Sequence, residues 1–421
     1  MSYITIVAVL LAMTATISYL NDRYLKLPTT IAMLTGAIVI SMVVVVMQKM
    51  GWTDFGGFLI DIIKQIDFSK ILLEGLLGFL LFAGAIHVGI HDLQRDSKIL
   101  IFLVSICIVV ATLIYGVIIF VGFNIIGIEI DFLYSLIFGA LITPTDPIAV
   151  MAVLSKIGLP KRLENLISGE SLLNDGVGYA VFAILLGLKM NLDSFGIQSG
   201  GMLLVKEIFG GILLGVIVGT IAYRLLKRTK STITAVFISL ADIMVCFAIA
   251  EAYHFSGPLA VVSSGILLSS LINHITVIRE KHSEYKIFWH ILDSLLNGFL
   301  FLLIGVQMLI IDFNIKIIIG SLIAIFASLI SRFISVSIPI ILFRANDEKI
   351  DARTIDLMKL LTWGGLRGGL SLAMAMSLPE SNLRMSIIAI TFGVVSFSII
   401  IQGLTIGKMF KYKKLLEISK V

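Results

Sequence analysis

Charge is what this sequence has least of. Only 14% of its 421 residues are Asp, Glu, Lys or Arg, against roughly 25% in a soluble globular chain. With 58% hydrophobic residues and a mean hydropathy of +1.06, a water-soluble fold would expose large apolar patches, so lipid is the fitting solvent. Cysteine is scarce too. Cys107 and Cys246 each lie in an apolar run, which excludes a disulfide framework and a cysteine metal site. Both read as lipid-facing or packing residues. The opening stretch MSYITIVAVLLAMTATISYL lacks a basic leader and an A-x-A cleavage site, so it is expected to be a first membrane span. G-x-S-x-G, H-E-x-x-H and Walker-type loops are missing, which leaves an enzymatic reading without a motif.

What the chain does have is long apolar runs. A helix needs about 20 apolar residues to cross the hydrocarbon. Breaks at charged clusters, Pro and Gly predict thirteen spans, near 3–20, 28–47, 70–91, 98–123, 132–154, 163–189, 202–226, 232–254, 257–273, 287–311, 315–343, 357–378 and 384–410. The fold class is therefore all-α and polytopic. The ninth span is short, and segment 56–66 has the pattern of an interfacial amphipathic helix.

The net charge of +5 points to topology rather than to nucleic acid. Loops after odd-numbered spans, with the C-terminal tail, hold 23 of the 32 Lys and Arg residues. The other side holds seven: Lys49, Lys64, Lys70, Lys189, Lys206, Lys316 and Arg384. The positive-inside rule then puts the N-terminus outside and the C-terminus in the cytoplasm. Two basic residues remain, Arg332 and Arg367, both well inside spans. An unpaired charge there costs at least about 2.5–3.5 kcal/mol, so each is expected to have an acidic partner or to line a wet cavity. Acidic residues at comparable depth are Glu74, Asp146, Glu170, Asp175, Asp242, Glu251 and Asp293.

Three spans carry the chemistry. The fifth reads FGALITPTDPIAVMAVL, with prolines bracketing Thr145 and Asp146. Pro147 and Pro144 have no N–H, so the Thr143 and Ala140 carbonyls lose their helical partners. Freed carbonyls, a hydroxyl and a carboxylate at mid-membrane suit a hard cation, and such backbone is tolerated only inside protein or beside a wet cavity. In the sixth span, SGESLLNDGVGYAVFAILLGL, Ser171 and Asp175 share a helix face, as do Glu170 and Asn174 one step around. A desolvated Asp facing a broken helix can hold a proton or a cation, and competition for it would couple the two fluxes. The twelfth span, LLTWGGLRGGLSLAMAMSLP, surrounds Arg367 with glycines 364, 365, 368 and 369. A second break there, seven spans after the first, would give an inverted-repeat transporter with discontinuous helices crossing near the midplane. His87, His91 and Asp92 have spacing that metal ligands could use, but at a cytoplasmic span end they read as solvated residues.

Several stretches resemble the NhaP-type sodium/proton antiporters of the monovalent cation:proton antiporter-1 family. They are TPTDPIAV at 143–150, GESLLNDGVGYAVF at 169–182, the FW...LLNGFLFLLIGVQ run at 288–307, SRFISV at 331–336 and WGGLRGGLSLAMA at 363–375. The resemblance implies thirteen helices, a homodimer in the cell (inner) membrane, and no cofactor. It implies core helices at about 98–189 and 315–410 moving against dimerisation helices at about 3–91 and 202–311. In the family pattern Asp175 is the principal ion- and proton-binding carboxylate, and Asn174 is its neighbour in the pair typical of electroneutral exchange. Asp146, Thr145 and Ser171 help hold the transported sodium or lithium, and Glu170 pairs with Arg367. For Arg332 the candidate partners are Asp242 and Glu251. The sequence departs from some relatives at Ala83, where they carry a glutamate. The expected activity is exchange of sodium for protons by alternating access. Potassium/proton antiport on the same fold is the alternative, and an uncoupled channel is a more distant one.

Overall fold

The computed structural model describes residues 3–51, 57, 67–86, 88, 97–155, 158, 160–190, 197–271, 282–311, 314–344 and 352–410. These residues form helices, with no strand among them. Eleven helices are long and apolar enough to cross a membrane, and Gly257–Leu271 is a shorter apolar helix. Their outer faces are apolar: Phe209 is 66%, Phe237 66% and Phe326 62% exposed. Large aromatics at that exposure fit contact with lipid rather than water.

Most helices fall where the hydropathy placed them. Two differences have local causes. The expected 287–311 span begins earlier, as His282–Val306, because its polar first turn finds a partner: Thr232 Oγ1 donates to Glu284 at 2.9 Å. The expected third span is seen as Phe68–Ala85, started by the Asp67 carboxylate accepting from the Lys70 N–H at 3.0 Å. Segment 56–66 (Gly57 apart), His87, His91 and Asp92 lie outside the described residues.

Two expected spans are discontinuous. The fifth divides into Phe132–Ile142 and Pro147–Leu154. Asp131 caps the first half, accepting from Tyr134 N–H at 2.8 Å, and Asp146 caps the second, accepting from Ile148 N–H at 2.8 Å with Pro147 in the first turn. The twelfth divides into Ala352–Trp363 and Gly369–Met376, with a turn at Gly364 and unwound backbone over 365–368. An apolar core that includes Val150, Leu154, Leu163, Val336 and Leu360 packs the half-helices Pro147–Leu154 and Ala352–Trp363 with the start of the long Lys161–Met190 helix.

Candidate functional site

The two breaks meet. Asp146 N–H donates to the Leu366 carbonyl at 2.7 Å, so each break satisfies part of the other's unpaired backbone. Gly368 makes the approach possible: a Cβ there would lie 2.6 Å from both Cβ and Oδ2 of Asp146. The Lys161–Met190 helix closes on the same point. Gly178 lets it reach Pro144, whose Cγ would be 2.6 Å from an added Cβ, and Thr145 Oγ1 and Ser171 Oγ share a hydrogen bond of 3.0 Å.

The candidate residues divide by exposure. Thr145, Ser171, Asn174 and Glu170 are buried, at 3% exposed or less. Asp146 and Asp175 are half-buried, and both line a cavity of about 500 Å³ that also reaches Ser155, Glu164 and His290. The two carboxylates therefore open to the cavity and Thr145 borders it, while Ser171, Asn174 and Glu170 are not among its lining residues. Asn174 Nδ2 donates to Glu170 Oε1 at 2.8 Å, which leaves Asn174 Oδ1 without a hydrogen-bond partner among the described residues.

The ion pairing differs from expectation. Glu170 Oε1 pairs with Arg332 Nη2 at 2.5 Å, not with Arg367. Arg332 Nε also donates to the Leu361 carbonyl at 3.3 Å. The route is opened by Gly365, where a Cβ would lie 2.7 Å from Arg332 Nε. Arg367 has other acceptors. Its Nη1 donates to the Thr143 carbonyl and, at 3.3 Å, to that of Pro144, and its Nε donates to Ser328 Oγ at 3.2 Å. The Thr143 carbonyl freed by Pro147 is thus occupied by the protein's own cation. Asp242, a candidate partner for Arg332, instead accepts from Ser264 Oγ at 2.6 Å, among different helices.

Sequence reasoning missed the support of the second break. Arg367 N–H donates to Ser398 Oγ at 2.9 Å, Ser398 donates to Gln402 Oε1 at 2.5 Å, and Gln402 Nε2 reaches the Trp363 carbonyl at 3.3 Å. Ser398 and Gln402, four residues apart, face one way in the last helix, which is π-wound over Ser398–Gln402. The sole signal was two polar residues four apart in an apolar run.

At the crossing, Glu170, Asp146 and Asp175 stand against Arg332 and Arg367. Counted as ionised, and leaving apart Asp293 and Glu164 elsewhere on the cavity, these three carboxylates and two guanidinium groups leave one negative charge. One monovalent cation or one proton neutralises it. Among the described residues no group of three or more His, Cys, Asp or Glu side chains could hold a resident metal.

The chain matches the family model for the transmembrane sodium/hydrogen exchanger over residues 9–412. It is 35% identical over 409 residues to the Na(+)/H(+) antiporter NhaP of Pseudomonas aeruginosa, covering 96% of each chain. It is 30% identical over 278 residues to the Na(+)/H(+) antiporter NhaH of Halobacillus dabanensis, covering 65% of this chain and 67% of that one. Its fold is similar to that of the sodium proton antiporter MjNhaP1 from Methanocaldococcus jannaschii, with a TM-score of 0.74 at 19% identity over 100% of both chains.

Proposed function

The chain belongs to the sodium/hydrogen exchanger family, and from that premise we propose that it exchanges sodium or lithium ions for protons across the cell membrane. The observation that carries this reading is the pair of half-buried carboxylates, Asp146 and Asp175, facing one cavity at the crossing of two broken helices. A carboxylate with access to solvent can trade a proton for a cation. One so placed beside a second carboxylate cannot easily stay empty, because like charges in a poorly solvated site repel.

In this mechanism sodium binds to Asp175 and Asp146, with oxygen from Thr145 and Ser171. Asn174 holds Glu170 and sits beside Asp175. Sodium leaves on the other side, and a proton on Asp175 neutralises the site for the return. One charge is exchanged for one, so transport is electroneutral. The moving unit is the group of helices near 98–189 and 315–410, which holds both breaks. The rest, near 3–91 and 202–311, is the scaffold of a homodimer. The cavity-lining residues Thr29, Ser155, Glu164 and His290 lie close in sequence to the Lys- and Arg-rich loops. By the positive-inside rule that face is cytoplasmic and the cavity is inward-open.

The test is collapse of a pH gradient in proteoliposomes given sodium, lithium, potassium or choline, repeated with the voltage clamped. Sodium or lithium is expected to collapse the gradient, and clamping to change little. Collapse by potassium alone would move the assignment to potassium/proton antiport. No response in folded protein would overturn the reading.

A further inference from the structure

Asp146 and Asp175 line the cavity, and the His282–Val306 helix presents His290, Asp293, Ser294 and Asn297 to the same space. Spacings of three, four and seven put these four on one helix face. Asp293 is half-buried. Asn297 Nδ2 holds it by donating to Asp293 Oδ1 and to the Asp293 carbonyl, each at 2.9 Å. Asn297 Oδ1 is then left without a partner among the described residues, on a side chain 3% exposed. Ser371 Oγ, from the second broken helix, also borders the cavity and is also unpartnered. An amide serving packing alone would have both ends satisfied. A carboxylate, an amide oxygen and a hydroxyl around one wet space are the ligands of a hard cation.

We propose that Asp293 and Asn297 form an approach site for the transported cation, in the cavity they share with Asp146 and Asp175. The proposal rests on the antiport reading above and deepens it. Asp293 belongs to the helices assigned to the scaffold, and Asp146 to those that move. The two carboxylates therefore share a cavity only while it is inward-open. On that side Asp293 adds negative charge to a confined space and raises the local cation concentration. Once the core moves, the cation leaves with Asp146 and Asp175, and Asp293 stays behind. Its contribution is one-sided.

That asymmetry is the test. Asp293→Asn keeps an oxygen for Asn297 to donate to, so the fold survives. Sodium-dependent proton movement is measured in proteoliposomes of known orientation, with sodium added to one face at a time. The expected result is an apparent KM for sodium raised about fivefold to tenfold on the cavity face, as loss of one partly screened charge near a binding site would do. The KM on the opposite face and kcat stay unchanged, and Asp293→Glu recovers part of the loss. Equal KM shifts on both faces, no KM shift on either, or a fall in kcat alone would each overturn the approach site while leaving antiport intact. Wild-type protein that moves no protons with sodium would instead overturn the antiport reading, and the approach site with it.

Discussion

The two broken helices solve one problem by different means. The first, at 143–146, is made by prolines and exposes a carboxylate. The second, around 364–368, is made by glycines and carries a buried guanidinium. Proline breaks a helix by removing a donor, so it leaves carbonyls behind. Glycine breaks it by permitting an extended path and a close neighbour. Of the carbonyls at the first break, those of Thr143 and Pro144 are taken up by Arg367 from the second. The first break is thus available to an exchangeable ion because the second supplies a permanent one. Polar backbone at membrane depth is tolerated only when satisfied in this way.

The sharpest attack on this comparison removes the exchangeable charge. Asp175→Asn is expected to abolish sodium-dependent proton movement with folded yield retained, as read by size-exclusion profile and transport together. Full exchange in well-folded Asp175→Asn protein would end the account. Next come the permanent charges. Glu170→Ala strands Arg332 in a dry site, and breaking a buried pair in this way costs about 3–5 kcal/mol. Thermal unfolding in detergent should show it as a large fall in Tm. Arg367→Ala should also reduce folded yield, and Arg367→Lys should rescue it poorly, because Arg367 uses both Nε and Nη1.

Where the breaks touch, the expected effect is on rate. Gly368→Ala pushes a methyl group against Asp146. A misplacement of that size can cost on the order of 10²-fold in turnover, with sodium affinity and turnover both to be measured. Ser398→Ala removes the acceptor for Arg367 N–H and should cost about 1 kcal/mol of stability.

The smallest effect lies outside the crossing. Lys189 Nζ and Asp131 pair at 2.5 Å with both side chains partly exposed. Partial burial pushes the Asp131 carboxyl up, but hydrogen bonds from Lys189 and from the Tyr134 and Leu133 N–H groups outweigh it and hold the carboxyl below the ordinary carboxylate range. A depressed value in the folded state gives stability that is present above the unfolded value and lost as pH falls through the folded one. Lys189→Ala should flatten that acid limb and cost less than about 1 kcal/mol at neutral pH.

The sequence carried most of the spans and pointed to both breaks, because apolar runs, prolines and glycine clusters act locally. It also brought Thr145 and Ser171 into one reading, as the structure does. Partner choice was another matter. The family resemblance implies a Glu170–Arg367 pair, yet Arg332 takes Glu170. The choice turns on how Arg332 passes Gly365 and on which carbonyls the prolines free. Both depend on how helices cross, which spacing along one helix does not encode. The π-wound turn under Ser398 and Gln402 was hidden for the same reason, since an ordinary helical pattern precedes and follows it. Asp293 was visible as an ionisable residue at depth. Its place in the same cavity as Asp146 needed the third dimension.

The central claim is that one uncompensated negative charge at the crossing is filled by either sodium or a proton. The direct measurement is the number of protons released when sodium binds to purified protein, from calorimetric titrations in buffers of different ionisation heat. The account predicts release of about one proton per sodium bound at a pH where Asp175 is protonated in the empty protein, and neither binding nor release in Asp175→Asn. Sodium binding without proton release across the pH range would contradict it.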